Sequence, residues 1–291
     1  MKRTNGEKVF NIVNIIILTL LAITMLYPLI YTFSISLSTT AEAARGGFHL
    51  YPRDVSLTAY KMVFKNPDLP IAYINTIFRT VVGTVGALLI TCLYAYALAR
   101  PETPHKKFFT IFIVTTMLFS GGKIPAYITL KNYGLLDNVW VYILPNLIGA
   151  YNVVVARSFF MSIPGSLHES AKIDGSGEFG IFFKIIMPLS KPIIMTLALF
   201  VAVYHWNSWY DSLMYIQSNS KIVVQLLLQR IIQENNVELI TQGLINPEQT
   251  EFTSETVKSA TVIIAVVPIL VMYPFVQKYF TKGIMLGAVK G

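Results

Sequence analysis

Residues 166–188 read SLHESAKIDGSGEFGIFFKIIMP, and this polar stretch separates two apolar stretches long enough to cross a membrane. Charged side chains are costly inside a lipid bilayer, so the stretch is predicted to lie in water. A polar segment between apolar spans is well placed to contact another protein. The stretch therefore indicates both the fold class and the kind of function to look for.

Two short helices are predicted within this stretch. Ser166 precedes Glu169 by three residues, which is the spacing of a capping box, and Gly175 is the residue type that commonly follows a helix end. These signals predict a helix over 167–174. A second helix is predicted over 178–186, because the Met-Pro pair that follows it limits its continuation.

The order of residues in the stretch resembles the EAA loop of ABC importer permeases. That family pattern reads E-A-A, three residues, G, nine residues, I, any residue, L-P. Ser170 and Met187 stand here for the second alanine and the leucine, and both replacements are conservative in size. The matching positions are Glu169, Ser170, Ala171, Gly175, Ile185, Met187 and Pro188.

The resemblance covers nearly all of the chain and includes Tyr94–Arg100, Gly121–Pro125 and Trp206-Asn207. The family it points to is that of the maltose-type carbohydrate permeases, particularly the LplC/YtcP-like branch. It implies a type I ABC importer permease fold and a transport subunit, not an enzyme. This subunit would form half of the pathway for an oligosaccharide, complex or acidic polysaccharide fragments included. The implied partners are a second permease in a heterodimer, two cytosolic ATPases, an extracytoplasmic solute-binding protein and the lipid bilayer. ATP and Mg²⁺ would be bound by the ATPases, and no cofactor by this chain.

The resemblance assigns coupling with the ATPase to the EAA segment, residues 161–188. A helix that docks in a groove needs apolar anchors with a polar rim, and Leu167, Ala171 and Ile173 are the available apolar residues. A surface helix that is merely capped is the alternative. The residues expected to carry the coupling are Glu169, Ser170, Ala171, Asp174, Gly175, Ile185 and Pro188.

The composition favours an all-α integral membrane protein of the cell membrane. Hydrophobic residues make up 54% of the chain and charged residues only 13%, about half the usual share for a soluble domain. The net charge of +8 is scattered rather than clustered, which argues against nucleic-acid binding. Cys92 has no partner cysteine, so an internal disulfide is excluded.

Six membrane-spanning helices are predicted. The first apolar stretch is too long for a cleaved signal peptide. With the N-terminus in the cytosol, Lys and Arg concentrate in the short inner segments, as the positive-inside rule requires. Both termini and residues 161–188 are then expected in the cytosol, and residues 217–256 outside. The spans are predicted near 10–37, 71–98, 107–130, 138–160, 187–216 and 257–279.

The energy for transport is expected to come from another subunit, because the sequence has no G-x-x-x-x-G-K-[ST] phosphate-binding loop. No cluster with metal-ligand or catalytic spacing is present either. An ion-coupled secondary carrier would be expected to hold an acidic residue at mid-depth in the membrane. The predicted spans contain no acidic residue at that depth, since Asp211 lies nearer the outer boundary. A non-conducting structural membrane subunit stays open as an alternative.

A substrate pathway is expected around Trp206, Asn207, Trp209 and Tyr210, because aromatic rings and amides suit the faces and hydroxyls of sugars. On a continuous helix, the three aromatic residues would share one face by the i, i+3, i+4 rule. An aromatic belt at the membrane surface, with Asn207 bonded to a neighbouring helix, is the alternative. His205 is expected to be a hydrogen-bonded structural residue.

Three further features of the spans carry expectations. Arg79 lies inside the second span and is expected to snorkel or to line a cavity. Gly83 and Gly86 share a helix face, which favours packing within the chain over a subunit interface. Gly121–Pro125 interrupts the third span, either as part of an outer gate or as a plain helix end with a re-entrant turn.

Overall fold

The structure is a computed structural model that describes residues 4–45, 47–241 and 254–288. Residues 242–253 of the predicted outer loop and both chain ends lie outside the described residues. No strand occurs in the described ranges, where one isolated antiparallel bridge joins Ser38 and Val55. The regular secondary structure of these ranges is all helical, as predicted.

Fourteen α-helices run along the described part of the chain, with three short 3₁₀ helices and one π-helix between them. The α-helices are α1 Asn5–Ser36, α2 Thr40–Ala43, α3 Thr58–Phe64, α4 Leu69–Ala99, α5 Lys106–Leu118, α6 Lys123–Asn132, α7 Ala150–Phe160, α8 Gly165–Ile173, α9 Glu178–Ile181, α10 Met187–Leu189, α11 Lys191–Asn207, α12 Tyr210–Tyr215, α13 Val224–Thr241 and α14 Ser254–Ala288. The 3₁₀ helices are Val139–Tyr142, Leu144–Asn146 and Asn219–Lys221, and the π-helix is Phe182–Ile186.

The chain forms two compact units, one of residues 1–67 with 228–268 and one of residues 68–227 with 269–291. In the first unit, α1 begins with a capping box in which the Thr4 hydroxyl accepts from the Glu7 amide and the Glu7 carboxylate accepts from the Thr4 amide. Most of α1 is apolar on every side and exposed, the property of a helix that needs lipid or a partner around it. The Tyr31 hydroxyl donates to Glu255 at 2.8 Å and joins α1 to α14.

Three described helices are long and apolar enough to cross a membrane by themselves: Asn5–Ser36, Leu69–Ala99 and Ser254–Met272. Three bent helix pairs also qualify if each pair is taken as one span, which gives up to six. The six-span count therefore stays a prediction.

The core of the second unit forms where α4 packs against α7 and α11. Its centre consists of small and medium side chains that are completely buried, which lets the helix backbones approach closely. Gly83 on α4 lies beneath the His205 imidazole of α11, since a Cβ added at Gly83 would come within 2.5 Å of Nε2. A Cβ added at Gly86 would likewise lie 3.0 Å from the Leu147 side chain. The expected packing of these glycines within the chain is confirmed.

Each of the three bent pairs divides a stretch that the sequence predicted as one helix. The 107–130 stretch bends by 117° between α5 and α6, where Gly122 adopts φ +84°, a conformation that favours glycine. The 138–160 stretch bends by 47° between the 3₁₀ turns and α7. The 187–216 stretch bends by 83° at its start, where Ser190 separates α10 from α11. Hydropathy identifies such stretches but does not report where the backbone turns.

Candidate functional site

The EAA segment contains α8, and this helix starts differently from the prediction. It begins at Gly165 and follows Pro164, which holds an extended conformation with ψ 130°. Ser166 is already inside the first turn, so its hydroxyl cannot act as the N-cap and no side-chain cap bond forms. The predicted capping box of Ser166 and Glu169 is therefore wrong.

The end of α8 agrees with the prediction. Gly175 adopts φ +80°, and its amide donates to the Lys172 carbonyl at 3.0 Å. The Ser176 amide donates back to the Ala171 carbonyl at 2.9 Å, which completes a Schellman motif after Asp174. A side chain at position 175 would have open space around it, but the positive φ would strain the backbone of a residue other than glycine.

The second half of the EAA segment is longer than predicted. Helix α9 continues into the π-helix Phe182–Ile186 and then into α10, so the helical path passes Pro188 and ends at Leu189. The wider π turn leaves room for a proline, which has no amide hydrogen to donate. The prediction that Pro188 limits the helix at residue 186 was wrong.

The two faces of α8 differ in their surroundings. Ala171 is only 6% exposed and belongs to the apolar core with Tyr96 and Phe182, so its predicted contact with a partner is replaced by packing within the chain. In contrast, Ile173 is 87% exposed and Phe179 on α9 is 73% exposed. The other predicted coupling residues Glu169, Ser170, Asp174, Gly175 and Pro188 are also exposed, whereas Ile185 is half-buried.

A buried histidine, His168, fixes α8 to the end of α4. An Arg100 guanidinium nitrogen (Nη2) lies 2.7 Å from Nδ1 of His168, and Nε2 of His168 lies 3.1 Å from a Glu178 carboxylate oxygen. Arginine can only donate, so Nδ1 accepts and Nε2–H donates to the carboxylate. The ring is therefore a neutral bridge between a cation and an anion.

The Glu178 carboxylate accepts hydrogen bonds from two more donors. Lys172 reaches it at 2.9 Å and the Tyr96 hydroxyl at 2.8 Å. Burial raises the pKa of this carboxyl, but the hydrogen bonds from Lys172, His168 and Tyr96 outweigh burial and hold the pKa at about 2. We call these residues, with Arg100, the EAA anchor. The sequence signal for it was an arginine directly after an apolar span and a histidine beside the E-S-A motif.

The predicted substrate-pathway residues do not lie on one continuous helix. Helix α11 ends at Asn207, Ser208 is extended with ψ 122°, and α12 begins at Tyr210. The predicted shared face of Trp206, Trp209 and Tyr210 is therefore wrong, because the i, i+3, i+4 rule needs an unbroken helix.

The aromatic residues instead form separate contacts on either side of the break. The ring of Trp206 lies 6.4 Å from that of Tyr73, while Trp209 packs edge-on against Tyr210 at 6.0 Å. The Asn207 amide donates to the Val203 carbonyl at 3.0 Å, a bond within its own helix.

A buried ion pair lies at this break. Arg79 is fully buried, and one guanidinium nitrogen donates to the Ser208 carbonyl at 3.0 Å. The guanidinium also makes a bidentate contact with Asp211 and lies 4.5 Å above the Tyr142 ring. Arg79 therefore does not snorkel: its charge is paired inside the protein, and it captures a carbonyl that the end of α11 leaves free.

His205 is 1% exposed, and neither ring nitrogen has a hydrogen-bond partner among the described residues. The predicted hydrogen-bonded role for this histidine is therefore wrong. Its observed role in packing is to fill the space above Gly83.

Four residues of the Gly-Gly-Lys-Ile-Pro stretch line a cavity of about 830 Å³, which we call the GGKIP cavity: Gly121, Gly122, Lys123 and Pro125. Tyr204, Tyr210 and Tyr215 contribute aromatic walls. The Lys123 ammonium lies 3.9 Å from the centre of the Tyr210 ring. A smaller cavity of about 350 Å³ includes Asn207, Trp209 and Tyr210, so Tyr210 lines both. Across the described ranges, no three His, Cys, Asp or Glu side chains converge as a metal site.

Residues 106–286 match the family described as binding-protein-dependent transport system inner membrane component. Protein LplC of Bacillus subtilis is 39% identical over 100% of this chain and 98% of its own length. The polygalacturonan/rhamnogalacturonan transport system permease protein YtcP of the same species is 38% identical over 94% of this chain and 96% of its own. Among solved structures, a chain of a bacterial ABC transporter involved in the import of the acidic polysaccharide alginate has a TM-score of 0.86 at 32% identity. That likeness covers 96% of this chain and 99% of the other.

The apolar helices, the interrupted spans and these matches define an integral membrane permease of the ABC importer type. The chain belongs to the family of inner membrane components of binding-protein-dependent transport systems. The predicted resemblance to ABC importer permeases is confirmed, and so is the prediction of a transport subunit rather than an enzyme.

Proposed function

We propose that this chain is a permease subunit of an ATP-driven importer of oligosaccharides, acidic polysaccharide fragments included. Two observations support the substrate class: YtcP is named for polygalacturonan and rhamnogalacturonan, and the structural relative imports alginate. The aromatic walls of the GGKIP cavity agree with a sugar, whose C–H faces pack on rings. The carrier and structural-subunit alternatives are not favoured, because the family is one of binding-protein-dependent transporters.

The proposed arrangement in the cytoplasmic membrane has six spans with both termini in the cytosol. The three long helices and three bent pairs support that number. The chain would pair with a second permease, two ATPases that bind ATP and Mg²⁺, and an extracytoplasmic solute-binding protein. The family description supports the last of these, and the missing phosphate-binding loop supports separate ATPases.

Coupling to the ATPase would occur through the EAA segment. The observation that carries this proposal is the division of α8 into an inner face fixed to the core and an outer face that exposes Ile173. Phe179 on α9 is exposed as well. Exposed apolar side chains on two consecutive short helices suit a groove on a partner. The inner face, held by Ala171 and the EAA anchor, transmits a force on the helix to α4.

In this mechanism, ATP binding closes the ATPase pair and draws the EAA segments of the two permeases together. The helices behind them then move as rigid bodies and change access from the inner to the outer side. The solute-binding protein delivers sugar in that outward state. Hydrolysis of ATP returns the permease pair to the inward state.

Gly175→Arg tests the coupling role. Arginine at φ +80° strains the turn after α8 and places a bulky cation where the partner would dock. We expect the variant to reach the membrane while substrate-stimulated ATP hydrolysis and uptake fall at least tenfold in vesicles that contain the whole importer.

Gly47→Arg is the matched control, because Gly47 also has a positive φ and open space around it but lies outside the EAA segment. It carries similar backbone strain and should keep coupled uptake. Wild-type rates of uptake and stimulated hydrolysis in Gly175→Arg would refute the coupling role.

A further inference from the structure

The charges that line the GGKIP cavity do not balance. Its two ionisable side chains with a formal charge are Lys123 and Asp211. Asp211 is already neutralised, since both of its carboxylate oxygens contact the Arg79 guanidinium. Among the described residues, no carboxylate forms an ion pair with Lys123. The cavity therefore presents one positive charge without a counter-charge.

The surroundings of that charge suit a ring-shaped ligand. The Lys123 ammonium lies over the Tyr210 ring at 3.9 Å, and the Tyr215 ring on the same wall stacks with Tyr127 at 6.1 Å. Lys123 is exposed, so a ligand can reach it without displacing protein. A cation held beside aromatic surface offers a carboxylate one partner and a sugar face another.

The fold sets the backbone position of Lys123 at the cavity. It is the first residue of α6, directly after Gly122 at φ +84°, and α6 turns back from α5 by 117° at this point. The Tyr204 hydroxyl donates to the side-chain oxygen of Asn146 at 3.1 Å, which links two other residues that line the cavity. The volume of about 830 Å³ is within the range of small-molecule sites.

We infer that the GGKIP cavity binds a uronic-acid unit of an oligosaccharide, with the Lys123 ammonium paired to the sugar carboxylate and Tyr210 packed against the ring. This inference rests on the proposed import of oligosaccharides and adds a specificity residue to it. Lys123 thereby makes the importer prefer acidic saccharides over neutral ones of the same shape. The Arg79–Asp211 pair adds no net charge but holds the wall of the cavity at Ser208 and Tyr210.

The test uses the complete importer, with its partner permease, ATPases and binding protein, in lipid vesicles. The two substrates are a trigalacturonate and the same trisaccharide with its carboxyl groups reduced to alcohols. The Lys123→Gln variant should lower kcat/KM for the acidic trisaccharide about tenfold, as expected for the loss of one charge-assisted hydrogen bond. Uptake of the reduced trisaccharide should change less than twofold. Lys123→Arg keeps the charge and should keep the preference.

Two readouts separate this inference from a structural or lipid-binding role of Lys123. Rising salt should weaken the acidic preference of the wild type and leave that of Lys123→Gln unchanged. The inference would be overturned if Lys123→Gln lowered kcat/KM equally for both trisaccharides, so that the ratio of the two values stayed unchanged. It would also be overturned if the only effect of the variant were a loss of stability in anionic lipid. If the wild-type importer moves neither trisaccharide with ATP, the proposed oligosaccharide import fails instead.

Discussion

Arg79 shows how one residue can determine the course of the chain far away in sequence. Its guanidinium is neutralised by Asp211 and holds the free carbonyl of Ser208, 129 positions further along. Ser208 is where α11 stops and the chain becomes extended. The break that separates Trp206 from Tyr210 is thus stabilised by a pair of charges, Arg79 on α4 and Asp211 on α12.

Removing one charge of this pair should be costly. Arg79→Met leaves Asp211 largely buried and unpaired, so we expect a loss of ~3–5 kcal/mol in the free energy of unfolding in detergent. The double variant Arg79→Met with Asp211→Asn should lose less than the sum of the two single variants. A double-mutant cycle measured by thermal unfolding checks this.

The Asp137–Lys221 pair supplies the control, because both side chains are about a third exposed. Lys221→Met should cost ~0–1 kcal/mol, as is typical of exposed pairs. Equal costs at both pairs would contradict the assignment of Arg79 as a buried structural charge.

Most residue-level predictions that succeeded have a local cause, and most of those that failed depend on distant residues. The turn at Gly175 follows from glycine's tolerance of positive φ, and the close packing at Gly83 follows from its missing side chain. The partners of His168 and Arg79 could not be predicted, because they lie ten to 132 positions away and depend on how helices pack. The error at Ser166 had a local cause, since Pro164 starts the helix earlier.

At the scale of elements, the EAA segment consists of two short helical pieces joined by a defined turn. The Schellman motif ends α8, and α9 continues through a π turn to α10. The EAA anchor ties α8 to α9 and to the end of α4 by side-chain bonds. Spacing in the sequence predicted two helical pieces but did not predict these ties, nor the 83° bend that follows Leu189.

Glu178→Gln should loosen this tie in a pH-dependent way. The folded-state pKa of Glu178 is about 2, below its ordinary value of 4.5, so the ionised carboxylate stabilises the folded state above pH ~4.5. That contribution is lost as the pH falls from about 4.5 through 2. At pH 7 the variant should melt a few degrees lower at most, because half-exposed ion pairs contribute only ~0–1 kcal/mol.

The measurement is the melting temperature of both proteins between pH 7 and pH 3, where the difference should narrow as the pH falls below 4.5. Glu169→Gln is the matched control, since Glu169 is an exposed carboxylate on the neighbouring helix α8. It should differ little from the wild type at any pH. A higher melting temperature for Glu178→Gln than for the wild type at pH 7, or a difference that widens in acid, would contradict the role of this carboxylate in the anchor.

At the scale of the whole molecule, the chain is one subunit of a larger assembly. Helix α1 exposes apolar side chains on all sides, and the EAA segment exposes Ile173 and Phe179. The first surface suits lipid, and the second suits a protein groove. Composition was enough to predict a helical membrane protein, whereas the interruptions of the spans depend on packing that hydropathy does not report.

The central claim is that the EAA segment is the contact through which a separate ATPase drives this permease. Ile173→Cys places a reactive thiol on its exposed face, and the natural cysteine, Cys92, is completely buried. Tyr51→Cys is the control, because Tyr51 is also exposed. It lies between the first two predicted spans, which puts it on the outer side when the N-terminus is in the cytosol.

In vesicles that contain the whole importer, a short thiol–amine crosslinker should join position 173 to the ATPase, and ATP should change the yield. Position 51 should give no such product. A crosslink from position 173 to the solute-binding protein, or labelling of that position from the outer side of sealed cells, would contradict the account.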